Sequence, residues 1–431
     1  MKLIPSYFNQ LLLSLLLPFI LLSGCASKKN NRADLIFWAI GNEGENVQKL
    51  LPEFERQNPT IHVVVQQIPW IAAHEKLLTA YAGNSLPDMC QLGNTWVPEF
   101  SMLGTLEPLN SYVVSSPTLS SDHYFTGIWN SNVVDSVVYG IPWYVDTRVL
   151  FYRKDILASV GYTDPPKTWD ELKDVSEKIV HSGEGKKRYA IFLPTNEWVP
   201  SIVFGLEAGS TLLKENQTRS DFSGEKFKKG YSFLRSFYLN GLAPSSMTEI
   251  MNVYQGFAEG YFSMYISGPW QIGEFSKRLP KELEGKWMTA PLPGISKSSY
   301  GLSLPGGSSF AIFKNSQRKT EAWKLIEFLS DRKAQLEFYS NTGNLPARRE
   351  AWSDSSFANN PLMKAFFTQF NYVKSPAKIP EWEQIAQKVQ DLSETAAHGD
   401  KSDDEILKVL DEYVNKVLEK RRWMLQTGKI R

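Results

Sequence analysis

The chain has 431 residues, with 47 basic and 46 acidic side chains and a formal charge of +1. At 42% hydrophobic it is large and apolar enough for two or three domains or one two-lobed body, which excludes general disorder. Near-zero charge, without a long Lys or Arg run, excludes the basic footprint of a nucleic-acid binder.

The first residues read as an address. Lys2 is the only charge before Cys25, and Leu11 to Leu22 is an apolar run broken by Ser14 and Pro18. That run is shorter than the roughly 20 residues of a membrane span and suits the core of a signal peptide. Leu22-Ser23-Gly24-Cys25 resembles the bacterial lipobox. The resemblance implies a signal peptide over 1–24 and acyl chains, palmitate among them, on Cys25, each buried CH₂ holding the membrane by about 0.8 kcal/mol. Residues 25–33 read as a flexible tether. Ala26, not Asp, follows the cysteine, so the expected place is the cell envelope with the leaflet open: the periplasmic side of a membrane, or the outer cell face. Cys90, the one thiol left, reads as a buried small hydrophobe.

Asp34 to Ile40 reads as a strand. Val47, Leu50, Leu51 and Phe54 form a helical stripe that Pro52 must kink or restart. Ile61 to Ile68 is a β-branched strand, Leu77, Leu78 and Tyr81 mark a helix, and Asp88 to Leu92 is a third strand. This alternation predicts a parallel sheet covered by helices. Gly140 to Arg153 is extended. Thr168 and Glu171 form a capping-box pattern for a helix through Val180, with a strand at Tyr189 to Leu193. Ser309 to Phe313 is a strand, 319–330 an amphipathic helix, and 382–425 mostly helical. Two such sets predict an α/β protein of two lobes with a ligand cleft beyond the strand ends.

Catalytic motifs are missing: no GxSxG, HExxH or phosphate loop occurs. His62, His74, His123, His181 and His398 lack metal-ligand spacing, and two cysteines make no disulfide framework, so neither metal nor cofactor is expected. Aromatics, however, stand at breaks between elements: Trp38 before Gly41-Asn42-Glu43, Trp96 after Asn94-Thr95, Trp143 and Tyr144 before Asp146, Trp198 after Glu197, and Trp270 after Gly268-Pro269. An indole face beside carboxylates and amides suits a sugar ring, which has an apolar C–H face and a rim of hydroxyls.

Six segments in order carry a wider resemblance: Phe54–Pro59, Leu86–Met89, Tyr139–Asp155, Pro166–Leu172, Phe257 through Gly268-Pro269-Trp270, and Gly343–Arg348. Over 34–425 the chain resembles the solute-binding proteins of bacterial ABC importers, in the maltodextrin and oligosaccharide cluster. The resemblance implies a two-lobed periplasmic-binding-protein fold, each lobe a mainly parallel sheet flanked by helices, with three hinge crossings near 149–152, 303–307 and 344–348. Lobe one would be 34–148 plus 308–344, and lobe two 149–303 plus 349–425. It places Asn42, Glu43, Asn94, Thr95, Trp96 and Asp146 on the first lobe's side of the site, with Arg148 orienting Asp146 or touching ligand. Trp198 and Trp270 would stack from lobe two, Gly306 and Gly307 would allow close backbone approach, and Arg348 and Trp382 are further candidates. A hinge salt bridge is the other reading of both arginines.

The expected function is a lipid-anchored, monomeric carbohydrate-binding component that closes on a sugar and delivers it to the permease subunits, without catalysis. Its rivals are a glycan-degrading lipoprotein with two cleft carboxylates, and a binder of another polar solute such as a glycerol phosphate or short peptide.

Overall fold

A computed structural model describes residues 33–183 and 187–428. Cys25 and the segments on either side of it, through residue 32, lie outside the described residues.

Ten strands build two sheets: β1 (Ala33–Ile40), β2 (Ile61–Ile68), β3 (Met89–Gly93), β4 (Ile141–Asp146), β5 (Val149–Arg153), β6 (Ile191–Phe192), β7 (Met264–Ser267), β8 (Trp287–Ala290), β9 (Gly306–Ile312) and β10 (Leu345–Pro346). The first sheet has the order β10-β4-β9-β3-β1-β2 and the second β8-β5-β7-β6. In the first, β1 pairs parallel to β2 and β3, while β9 and β10 pair antiparallel to their neighbours. In the second, only β6–β7 is parallel. The sheets are therefore mixed, a correction to the mainly parallel expectation. The reason lies in the chain's return paths, which insert β9 and β7 beside strands running the other way.

Both faces of the first sheet are covered, as its sequence requires. Leu35, Phe37 and Ala39 of β1 enter one core, and Trp38 and Ile40 enter another. Pro52 restarts the helical pattern: helices span Glu43–Val47 and Leu51–Gln57, with the proline in the second one's first turn, where no N–H is needed. The stripe survives the break, since Val47, Leu50, Leu51 and Phe54 are all buried. Thr168 caps the helix Trp169–His181 by accepting from the Glu171 N–H at 3.2 Å. Glu171 reaches back to the Lys167 N–H at 2.8 Å, one residue beyond the cap.

The extended stretch 140–153 divides between the sheets, with Thr147 and Arg148 as the link. The chain returns to the first sheet between Ala290 and Gly306 and leaves it after Pro346. Helices Trp382–His398 and Asp403–Val417 pack Trp382, Ile385, Val389, Leu407 and Val414 into the second lobe's core. The strand expected at 189–193 shrinks to β6.

Candidate cleft between the two sheet edges

Topology places the site. The parallel strands β1, β2 and β3 send their carboxyl ends to one edge of the first sheet, with Ile40 paired to Ile68. There β9 begins antiparallel to β4, Gly306 opposite Asp146, and β10 begins beside Val145. Gly41–Glu43, Trp70, Asn94–Trp96, Asp146, Gly306 and Asn344 thus share one edge, where open α/β sheets bind ligands.

A buried polar network sets this edge. The Tyr144 hydroxyl donates to Glu43 Oε1 at 2.9 Å, and Asn344 Nδ2 donates to the same oxygen at 3.1 Å. Gln91 Nε2 donates to the Tyr144 and Ser308 hydroxyls, each at 3.1 Å, while its Oε1 accepts from the Ile40 N–H at 2.8 Å. Burial first, and the Glu43 charge second, push the Tyr144 phenol well up, so it stays a neutral donor. Glu43 Oε2 is buried without a hydrogen-bond partner. A side chain at Gly41, which has φ +70°, would place Cβ 2.6 Å from both that oxygen and Trp70 Nε1. Glycine is what lets the loop pass between them.

Asp146 stands at the end of β4, and burial raises its carboxyl above the ordinary range, opposed by the Arg148 charge and the Gly307 N–H. A Cβ on Gly306 would lie 2.1 Å from Asp146 Oδ1. Trp96 packs edge-on to the half-exposed Trp70 with ring centres 5.8 Å apart.

The second lobe brings a matching edge. Parallel β6 and β7 end together, so the loop carrying Glu197 and Trp198 emerges beside Gly268-Pro269-Trp270. Arg148 joins the two edges. Its guanidinium lies 3.5 Å from Asp146, 3.9 Å from Glu197 and 4.6 Å from the centre of the Trp270 ring. Both readings of this arginine meet in one residue, which pairs with carboxylates across the link and faces the exposed indole. Trp198 lies edge-on to Trp382 at 5.6 Å.

Other expected site residues are spent elsewhere. Trp382 is 1% exposed and offers no stacking face, because its indole fills the second core. Arg348 is buried in the first lobe, where it donates to the Thr118 and Ser330 carbonyls and pairs with Glu350 at 2.8 Å. It therefore holds structure and presents no donor to the cleft. The Asn94 side chain binds the Gly306 carbonyl at 3.1 Å and accepts from Ser309 at 3.0 Å, so it positions the start of β9. Trp143 is stacked between Phe310 and Phe338, and Trp38 is buried. Asn42, by contrast, is exposed, and only its backbone carbonyl is engaged, accepting from Asn46 Nδ2 at 2.9 Å. Gly307, at φ +107°, packs against the Tyr144 carbonyl.

Tyr144 and Glu197, named from sequence beside Trp143 and Trp198, belong at these edges, and so do Trp70, Asn344 and Glu383, which the sequence reading leaves out of the site. Trp70 had a signal: it follows Ile68-Pro69, directly after the second strand. Glu383 had none, since only folding brings its helix to Thr95. A groove of about 480 Å³ lined by Lys49, Glu53, Lys324 and Glu337 lies at the opposite edge, near Asn58 where β2 begins. Among the described residues, no group of three or more His, Cys, Asp and Glu could hold a metal ion, and no helix is long and apolar enough to cross a membrane.

Comparison with known proteins agrees with this architecture. The family described as bacterial extracellular solute-binding protein matches residues 39–336. The solved sugar-binding protein MalE from Xanthomonas citri is 46% identical, with a TM-score of 0.87 over 91% of this chain and 99% of that one. A maltotriose-binding protein of Pyrococcus abyssi is 25% identical over 392 residues, 88% of this chain and 80% of the relative. A putative binding protein of Brucella abortus is 25% identical over 85% of this chain and 88% of its own length. With a two-lobed α/β fold, facing strand-end loops and a family match over most of its length, the chain belongs to the bacterial extracellular solute-binding proteins.

Proposed function

We propose that this protein is the carbohydrate-binding component of an ABC importer, which captures a neutral sugar or oligosaccharide between its lobes and delivers it to the permease subunits. The observation that carries this reading is the convergence at Arg148. Two carboxylates and a half-exposed indole from opposite lobes meet at one guanidinium, giving hydroxyl acceptors beside an apolar face. The names borne by the Xanthomonas and Pyrococcus relatives point the same way.

The charge of the edges opposes a phosphate ligand. Glu43, Asp146 and Glu197 outnumber Arg148 there, and bringing an anion beside them is unfavourable. The lobes, 34–148 plus 308–344 and 149–303 plus 349–425, close by a hinge and present a joined surface to the permease. An acylated Cys25 holds the monomer at the cell envelope by its tether.

A thermal-shift screen with maltose, maltotriose and larger maltodextrins tests the binding. A ligand at 100 times its Kd stabilises by about 2.7 kcal/mol. Glycerol 3-phosphate should give no shift. Stabilisation by it alone, or release of reducing ends from a maltodextrin by the purified protein, would overturn the reading.

A further inference from the structure

The lobes also meet at a second junction, made of carboxylates and a histidine. Helix Trp382–His398 belongs to the second lobe's core, and its start sets Glu381 and Glu383 against the first lobe. Arg421, beside Glu381, reaches across to Met102 Sδ on the first lobe's helix Val97–Met102 at 3.9 Å, and Thr95 acts on Glu383 over the same seam. His74 and Glu99, on helices Trp70–Ala82 and Val97–Met102, face the same carboxylate, with His74 Nε2 2.6 Å from Glu99 Oε2. The rings of Trp96 and Phe100 flank the imidazole at 5.2 and 6.1 Å, and Glu75 adds a charge from its own helix. Glu381 has Arg421 at 3.9 Å, with Lys420 and Glu99 the other charges acting on it. Glu383 Oε1, Glu381 Oε2 and Arg421 Nε are buried without hydrogen-bond partners. Joining the lobes here sets Glu383 against Glu99 with His74 as the charge that offsets them.

We propose that this junction is a proton-operated latch: protons on His74 and Glu383 hold the lobes together, and their loss drives the lobes apart. Titration supports the direction. The hydrogen bond to Glu99 raises the His74 imidazole from 6.5 against the effect of burial, and Glu383 adds to the rise. Burial raises the Glu383 carboxyl from 4.5, Glu99 adds to this, and Thr95 and His74 oppose it. Separating the lobes exposes Glu383 and removes its charge from His74, so both values fall. The joined state binds protons more tightly. Its gain is full at low pH and is lost as pH rises through the raised values of the carboxyl and the imidazole.

The inference rests on the two-lobed binding reading, but its test needs no sugar. Small-angle X-ray scattering of the protein at pH 8 and at pH 5.5 should show a smaller radius of gyration at the lower pH. Glu383→Gln keeps the side chain's size and polarity without its charge and should be small at both. His74→Gln should stay large until the pH at which Glu383 itself protonates, and carries the test should the first variant fail to fold. Equal radii for the parent protein at both pH values, or an unchanged pH response in both variants, would overturn the latch. Failure to bind any maltodextrin leaves these radii untouched and bears only on the proposed function.

Discussion

The guanidinium of Arg148, in the link between the sheets, lies over the Trp270 indole of the second sheet's edge, its carbon 4.6 Å from the ring centre. The same arginine is anchored by its own N–H, which donates to Ser303 Oγ at 3.0 Å. The contact ties a carboxylate of one sheet edge to an aromatic of the other.

Replacing Arg148 by Lys keeps the charge and loses the planar stack. A cation–π contact of this partly covered kind contributes about 1–2 kcal/mol. We therefore expect Arg148→Lys to weaken maltodextrin binding by roughly tenfold, and Arg148→Ala by more, with little change in Tm. Isothermal calorimetry beside a thermal melt checks this; unchanged affinity in both variants counts against the assignment.

Trp270 and Trp143 should part company on truncation. Trp270 is 45% exposed and begins a helix, so Trp270→Ala should lower affinity while costing little stability. Trp143 is 1% exposed between two phenyl rings, and Trp143→Ala should cost about 3–5 kcal/mol of folding stability. Chemical denaturation of both variants, set against their affinities, measures the split.

Asp146 should trade stability for function. Its carboxyl is raised from 3.8 by burial, so its ionised form destabilises the fold above that raised value, and the fold regains stability as the group protonates. Asp146→Asn should raise Tm at pH 7 and lose that advantage below about the ordinary carboxyl value. It should also weaken sugar binding, because an anionic acceptor is lost. A melt series from pH 3 to 8 decides it: a variant less stable at pH 7 than the parent would contradict the sign.

Gly306 and Gly307 predict different failures. A Cβ at Gly306 meets the movable end of Asp146, whereas one at Gly307 would lie 2.2 Å from the Tyr144 backbone oxygen. Gly306→Ala should displace the carboxylate and abolish binding at modest stability cost. Gly307→Ala, at φ +107°, should lower Tm strongly. Equal melting temperatures for the two variants would argue against this geometry.

Tyr144→Phe should expose the strain in the network below the cleft. Glu43 Oε1 would keep only Asn344, and its Oε2 already lacks a partner. Loss of the hydroxyl should cost about 1–3 kcal/mol, and Glu43→Gln in that background should recover part of it. A double-mutant cycle of unfolding free energies reads the coupling.

The sequence by itself determined the elements and their ends. Period-two and period-3.6 patterns are properties of neighbours along the chain, so β1, β2 and the helix Lys319–Leu329 were legible, as was the restart at Pro52. The family resemblance, beside the placement of aromatics at breaks between elements, then pointed to Glu43, Thr95, Trp96 and Trp270. What only the tertiary structure decided is which side chains remain available. Trp143 and Trp270 look alike as loop-adjacent tryptophans, yet Phe310 and Phe338 cover one and leave the other at an edge. Arg348 looks like a ligand donor until Ser330 and Thr118, far away in the chain, take its N–H groups. Exposure and hydrogen-bond satisfaction are set by residues distant in sequence, and no local pattern encodes them.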